Sequence, residues 1–431
     1  MKYVTSNDRH ILLIATVGGT VEPVVAGIKY WRPERIVFIV SPETYSQVDE
    51  IRICSRGEGF PIAEGAYDSL DVGDAQDFGG CVQIVRGLDD HVAKWLSRSA
   101  QHQVVVELTG GTKAMSAALA LVARRWPCFI SYVGGLERTK GGVGVVVSGT
   151  EKVLHATNPW NSLGYQAIED ACLAFDTGSY AIAAHYLEFA RNNAEDPRVK
   201  KELAAVLHVV QGYDQWDRFR HRKAIAALEN ACASANDLLS ALGATIGNRV
   251  LSLIDQHLRH LNEVVKDAPN RALLLDLLAN ARRRATEGRY DDAVARLYRA
   301  TEAAAQLRLR DAHGIPSTSS VYYTSVPEPL ATEWKAKGLA EPMELGLARA
   351  YELLSALGDP LAERYMALGL NDKGSPLSVR NTSILAHGFE PVGRDVCDKL
   401  WSAVLKIVEA NERELPEFPR LSMILPLRAV Q

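Results

Sequence analysis

The chain of 431 residues has no uninterrupted apolar run of about 18 residues, and its opening, MKYVTSNDRH, lacks the apolar stretch of a signal peptide. Neither a membrane-spanning helix nor a secretory leader is expected, which points to a soluble, cytoplasmic protein. Cysteine is sparse: Cys54, Cys81, Cys128, Cys172, Cys232 and Cys397 form no C-x-x-C pair and have no histidine at metal-ligand spacing. That excludes a disulfide framework and a zinc site of the usual kind, and predicts reduced, mostly buried thiols. There is no H-E-x-x-H, no nucleophile elbow and no carboxylate cluster of the sort a metal-dependent nuclease would bring together. No bound metal or cofactor is expected. Nor does charge of either sign dominate. A net charge of -4 and a pI near 6.3 give no global attraction to polyanions, so a nucleic acid must be met by a local basic patch.

Apolar residues make up 47% of the chain, and its length exceeds what one core usually serves, so two or three domains are expected. Residues 10 to about 155 alternate short β-branched runs at 11–17, 35–40, 82–85, 104–108 and 129–133 with helical stretches at 20–31, 89–100 and 112–125. Continuous apolar strands separated by helices predict an α/β, Rossmann-like, doubly wound sheet. Gly141, Gly142 and the run 143–147 predict a hairpin strand at one edge, and the polar turn after Thr157 marks the exit, giving a first domain of 1–157.

Beyond that boundary the texture is Ala- and Leu-rich and predicts an all-α half, divided into a connector at 158–269 and a bundle at 270–431. Gly178-Ser179-Tyr180 and Gly288-Arg289-Tyr290 open two copies of a Gly-x-Tyr-x-x-Ala pattern, ending at Ala183 and Ala293, without a fixed repeat period. A long helix at 290–310 has Val294, Leu297, Ala304 and Leu307 on one side and arginines on the other. The segment 313–329, with Pro316, Pro327, Pro329 and several serines, reads as a lid or a disordered connector. The tail from Leu415 is broken by prolines.

Two glycine turns carry the chemistry of the first domain. Gly18-Gly19-Thr20 follows the strand ending at Val17, and Gly110-Gly111-Thr112 follows the strand ending at Leu108. In an open α/β sheet ligands sit beyond the carboxyl ends of strands. There glycines let backbone amides turn toward a phosphate, and each Thr adds a hydroxyl donor. Lys113 adds a positive charge. Neither turn fits G-x-x-x-x-G-K-[ST] or G-x-G-x-x-G, which disfavours an NTPase or a dinucleotide dehydrogenase. A glycine pair after a strand is also ordinary turn chemistry, and both readings stand at this point.

In the second half, Arg380 and His387 lie about two turns apart on one helix face if their segment is helical, with Asn381 beside the arginine and Gly388 closing the string. An arginine grips a phosphate oxygen by its fork. A neutral imidazole takes a proton from a ribose 2′-hydroxyl or gives one to a departing 5′-oxygen. Those are the needs of RNA cleavage without metal. A histidine next to a helix-ending glycine also satisfies the helix dipole, so spacing alone leaves both roles open. Arg282, Arg283, Arg284, Arg289, Arg296, Arg299, Arg308 and Arg310 form a stretch that would guide single-stranded RNA or be a solvated face, with Glu302 a candidate buried partner for one of them.

The string Val106-Glu107-Leu108-Thr109-Gly110-Gly111-Thr112-Lys113-Ala114-Met115-Ser116 resembles the strand-turn-helix signature of CRISPR-associated Rossmann fold (CARF) domains. The string around Arg380, Asn381, His387 and Gly388 resembles the motif of HEPN ribonucleases fused behind such domains. The two resemblances cover about 10–155 and 285–410. They imply a ribonuclease of type III CRISPR immunity in which a homodimer binds cyclic oligoadenylate as an allosteric activator. The ligand would lie on Gly18, Gly19, Thr20, Thr109, Gly110, Gly111, Thr112, Lys113 and Ser116, with Gly134 and Gly135 as lesser candidates. Arg380, Asn381 and His387 from two subunits would form a composite site cleaving single-stranded RNA to 2′,3′-cyclic phosphate and 5′-hydroxyl ends. Slow cleavage of the activator would use Thr20, Thr112 or Lys113. One rival expectation is a non-catalytic nucleotide sensor whose helical half is a scaffold for a partner protein, and a second is a nucleotide-modifying enzyme acting at the Rossmann-like pocket.

Overall fold

The computed structural model describes residues 9–135, 150–157, 164–194, 196–267, 269–370, 375, 377 and 388–422. The chain forms two compact units, Met1–Gln166 with Ala190–Lys200, and Ala167–Phe189 with Lys201–Gln431.

In the first unit, β1 (His10–Thr16), α1 (Glu22–Trp31), β2 (Arg35–Val40), α2 (Gln47–Gly57) and β3 (Tyr67–Asp71) lead to α3 (Phe78–Arg86) and α4 (Asp89–Leu96). Then come β4 (His102–Glu107), α5 (Lys113–Ala123), β5 (Phe129–Gly135) and β6 (Glu151–Thr157). The six-stranded sheet has the order β3-β2-β1-β4-β5-β6, parallel throughout except for β6, which pairs antiparallel with β5. The order reverses between β1 and β4, so the carboxyl ends of these two strands frame the crevice where such sheets hold ligands.

The apolar runs are continuous because successive residues feed opposite layers. Leu12, Ile14, Val37, Ile39, Val104 and Val106 pack with α3, α4 and α5, whereas Ile11, Leu13, Ala15, Ile36, Phe38 and Val40 pack with α1 and α2. The sheet matches the expected α/β class, with one strand misplaced. Residues 82–85 belong to helix α3, which buries Cys81 and Val85. The third strand is instead the polar sequence YDSLD of β3, half-exposed at the sheet edge. The expected hairpin strand at 143–147 lies outside the described residues; the antiparallel partner of β5 is β6.

Beyond the sheet the chain is helical. Its elements are α6 (Tyr165–Asp176), α7 (Tyr180–Asn193), α8 (Pro197–Asp217), α9 (His221–Ala233), α10 (Ala235–Leu242) and α11 (Ala244–Val265). They continue as α12 (Arg271–Thr286), α13 (Tyr290–His313), α14 (Leu330–Ala336), α15 (Leu347–Ala356), α16 (Pro360–Ala367) and α17 (Arg394–Val408). One apolar core gathers Leu278, Leu297, Tyr351, Leu354, Leu400 and Val404 from α12, α13, α15 and α17, and Leu203, Tyr213, Leu228 and Ile254 are buried among α8, α9 and α11. No described helix is long and apolar enough to cross a membrane.

The two Gly-x-Tyr-x-x-Ala segments have the same closure. Gly178 and Gly288 adopt φ of +80° and +75°, and the next residue in each case bonds back across the helix end, Ser179 N to Ala174 O at 2.8 Å and Arg289 N to Arg284 O at 2.9 Å. This is a glycine-terminated helix end followed at once by a new helix, and Ala183 and Ala293 are fully buried on the second helix of each pair.

The segment 313–329 is neither a lid nor a disordered connector. Ile315, Val321 and Val326 are in the core, Val321 and Met343 exchange backbone bonds of 3.0 and 2.8 Å, and Leu345 N donates to Thr318 O at 2.7 Å. Residues 415–422 of the tail are packed as well. Phe418 packs on Tyr213 and Trp216, Arg249 Nη2 donates to Arg420 O at 3.0 Å, and Leu421 N donates to the Asp176 carboxylate at 2.8 Å.

Candidate functional site

The turns after β1 and β4 interlock through their backbones. A side chain on Gly110 would place its Cβ 2.1 Å from Thr16 O, and one on Gly18 would place it 2.8 Å from Gly111 N. No L-residue other than glycine fits such approaches, and Gly111 also needs φ of +74°. Thr16 Oγ1 and Ser116 Oγ both donate to Gly110 O, at 2.6 and 2.9 Å. With that carbonyl tied inward, the trans peptide carries the N–H of Gly111 on its opposite edge, against the first turn. Gly19 and Thr20 are exposed, and a Cβ on Gly19 would meet nothing within 4 Å.

Thr112 caps α5. Its hydroxyl oxygen accepts from Met115 N at 3.2 Å, and its hydrogen goes to Ala75 O at 2.5 Å. Thr109 Oγ1 accepts from Val133 N at 2.6 Å and donates to Glu107. A hydroxyl has one hydrogen to give. Those of Thr16, Ser116, Thr109 and Thr112 are thus engaged inside the protein, contrary to the expectation that Thr112 offers a free donor. What the second turn presents outward is backbone amides at the positive end of α5 and the exposed Lys113, with no acidic residue in the helix's first turn. The arrangement suits an anionic ligand.

Sequence reasoning missed the support beneath this turn. Glu107, the last residue of β4, is fully buried and stands in register with Ser131 of β5. Burial pushes its carboxyl above the usual range, opposed by hydrogen bonds from Ser131 and Thr109. The available signal was an acid ending an otherwise apolar strand. Gly134 and Gly135 end β5, where they pair with Lys152 and Glu151 of β6.

Arg380, Asn381 and His387 lie outside the described residues. The arginine stretch before them is not a free basic stripe. Arg283 Nε bonds Asp217 at 2.9 Å, and Arg284 joins Asp217 and, at 2.9 Å, Glu287. Arg289 and Arg296 share Asp292, Arg299 meets Glu302 at 3.3 Å, and Arg308 meets Asp359 at 2.7 Å. Arg310 pairs with Asp311 at 2.6 Å, and Arg282 with Glu412 at 3.6 Å. Glu302 is accordingly a half-buried surface partner of Arg299 rather than a buried one. Among the described residues no group of three or more His, Cys, Asp or Glu side chains is placed to hold a metal ion. All six cysteines are free, and four are buried.

A comparison with curated proteins finds no match. Among solved structures, the chain is similar to Enterococcus italicus Csm6 bound to cyclic hexa-2′-fluoro-hexa-dAMP, at 10% identity and a TM-score of 0.48, over 94% of this chain and 96% of that one. It is more distantly similar to Can2 from Sulfobacillus thermosulfidooxidans in complex with cyclic tetra-adenylate, at 13% identity and a TM-score of 0.24, over 68% of each chain. Neither likeness is close enough to assign anything to this chain by itself. The family models are decisive: residues 163–249 match the Csm6 6H domain and residues 262–411 the Csm6 HEPN domain, together more than half of the chain. With these two domains in succession behind a Rossmann-like sheet, the chain belongs to the Csm6 family of CARF–HEPN proteins of type III CRISPR systems.

Proposed function

We propose that the chain is a cyclic-oligoadenylate-activated, metal-independent endoribonuclease that cleaves single-stranded RNA in cytoplasmic antiviral defence. One observation carries this reading: the span matched by the Csm6 HEPN domain, 262–411, encloses Arg380, Asn381 and His387. In the proposed mechanism Arg380 holds the scissile phosphate, with Asn381 beside it. His387 takes the 2′-hydroxyl proton or protonates the departing 5′-oxygen, which leaves 2′,3′-cyclic phosphate and 5′-hydroxyl ends. Two subunits of a homodimer supply the two halves of the site. Domain 1–157 senses the activator, 158–269 connects and 270–431 cleaves.

The activator's phosphates would meet the backbone amides at the start of α5 and the charge of Lys113, beside Gly18, Gly19, Thr20, Thr109, Gly110, Gly111, Thr112 and Ser116. By linkage it can raise activity only as far as it binds the active arrangement more tightly than the inactive one. Since Thr112 gives its hydroxyl hydrogen to Ala75 O, slow cleavage of the activator would depend on Lys113 or Thr20.

The test is cleavage of a fluorescent single-stranded RNA in EDTA, with no activator or with cyclic tri-, tetra- or hexa-adenylate. Cleavage that requires one ring size and falls by at least about a hundredfold in His387→Ala is the expected result. Binding of a ring without cleavage of any RNA would instead identify a sensor with a helical scaffold.

A further inference from the structure

One buried carboxylate collects three donors directly beneath the second turn. Glu107 Oε1 accepts from Thr109 N at 2.9 Å and from the Thr109 hydroxyl, and Oε2 accepts from Ser131 Oγ at 2.5 Å. An ionised carboxylate only accepts, so both hydroxyls donate to Glu107. Thr109 Oγ1 already accepts from Val133 N at 2.6 Å, and Ser131 Oγ already accepts from Trp31 Nε1 at 3.1 Å, so each has its hydrogen left for Glu107. Trp31 ends α1, the helix that starts just after the first turn, and α1 comes close to Glu107 at Gly27, where a Cβ would lie 3.7 Å from Oε2. Val104, Val105 and Val106 fill the preceding positions without the desolvation cost of a carboxylate.

We infer that Glu107 is a positioning residue for the activator: it fixes the Thr109 end of the turn, and through Ser131 and Trp31 it ties that turn to β5 and α1. This inference rests on the reading that Thr109 to Lys113 hold the cyclic oligoadenylate. Glutamine is the informative replacement. It has the same size, but only one of its two terminal atoms accepts: with the oxygen on Thr109, Nε2 faces Ser131 Oγ, whose hydrogen must then turn away, and the opposite turn sets Nε2 against Thr109 N.

The experiment uses full-length protein and the ring that activates the wild type. It measures the activator concentration for half-maximal RNA cleavage, the rate at saturating activator, calorimetric affinity and thermal unfolding. Glu107→Gln is expected to raise the half-maximal concentration by about tenfold or more, with the saturated rate within about twofold of wild type. Ser131→Ala, which keeps the Thr109 contacts, shifts it in the same direction by a smaller factor and stands in should Glu107→Gln not fold. Ser131→Thr, which restores the hydroxyl, reverses the shift.

Lys113→Ala is the reference. Weakened activation in that variant together with wild-type responses in Glu107→Gln and Ser131→Ala overturns the positioning role and leaves the activator site standing. An unchanged response in Lys113→Ala and in Gly111→Val overturns the activator site and the positioning role together. A lowered saturated rate with an unchanged half-maximal concentration makes Glu107 a stability residue only, and also overturns the inference.

Discussion

Phe418 lies beneath the Arg283 guanidinium, whose central carbon stands 3.9 Å from the ring centroid. The same ring packs on Tyr213 and Trp216, with centroids 4.7 and 5.0 Å away, while Arg283 keeps its Nε on Asp217 at 2.9 Å. A residue of the tail thereby joins α8 and α12, and four positions later Ser422 N donates to the Asp176 carboxylate at 3.0 Å. The chain beyond the HEPN match at 262–411 thus closes back onto helices of the 6H match at 163–249.

Phe418→Ala is expected to lower stability by about 2 kcal/mol, the sum of a partly buried aromatic surface and a cation–π contact. Urea unfolding followed by tryptophan fluorescence measures this, because Trp216 adjoins the ring. An unchanged midpoint would mean that the tail does not hold these helices.

His257 sets an acid limit. It is buried, with Nδ1 2.8 Å from the Tyr213 hydroxyl, and burial, with His260 and Arg283 nearby, lowers its pKa from 6.5 to about 4. The unfolded chain therefore gains this proton before the folded one does. The contribution is complete above pH 6.5 and is lost as pH falls toward about 4, on the order of 3 kcal/mol across that window. Melting temperatures measured from pH 7.5 to 4.5 should fall less steeply in His257→Gln than in the wild type. Parallel curves would assign the acid sensitivity to other groups.

Gly19 and Gly110 should respond oppositely to alanine. At Gly110 the new Cβ would sit 2.1 Å from Thr16 O, whereas at Gly19 it meets nothing within 4 Å. Gly110→Ala is expected to weaken binding of the activating ring by about a hundredfold or more, or to unfold the first unit, because the obstacle is backbone and cannot rotate away. Gly19→Ala should leave the melting temperature within about 1 °C. Calorimetry and thermal unfolding of both variants decide it. Equal behaviour would show that the turns are not locked together.

The legible parts of the fold are those whose signal is local. β1, β2 and β4 stand out as β-branched runs because both faces of each strand are covered along most of its length, and the glycine pairs mark the ends of β1 and β4. β3 was hidden because an edge strand can be as polar as YDSLD. The neighbouring run Val82, Gln83, Ile84, Val85 is too short for its period to separate helix from strand. In the segment 313–329 the prolines and serines masked Ile315, Val321 and Val326, whose partners are far along the chain. Glu107 was visible as a residue but not as a support, since its meaning depends on Ser131, placed opposite it by strand register. The arginine stretch misled for the same reason: Asp217 is more than sixty positions before Arg283 and Arg284.

Those paired arginines bear on the proposed encounter with RNA. Binding to a polyanion is driven largely by cations released from it when protein charges take their place. The charge of an arginine already facing Asp217, Asp292 or Asp359 is largely balanced where it stands. For the proposed RNA binding, helices α12 and α13 are therefore expected to add little to the ionic-strength dependence, and steep salt sensitivity would have to arise elsewhere in the chain.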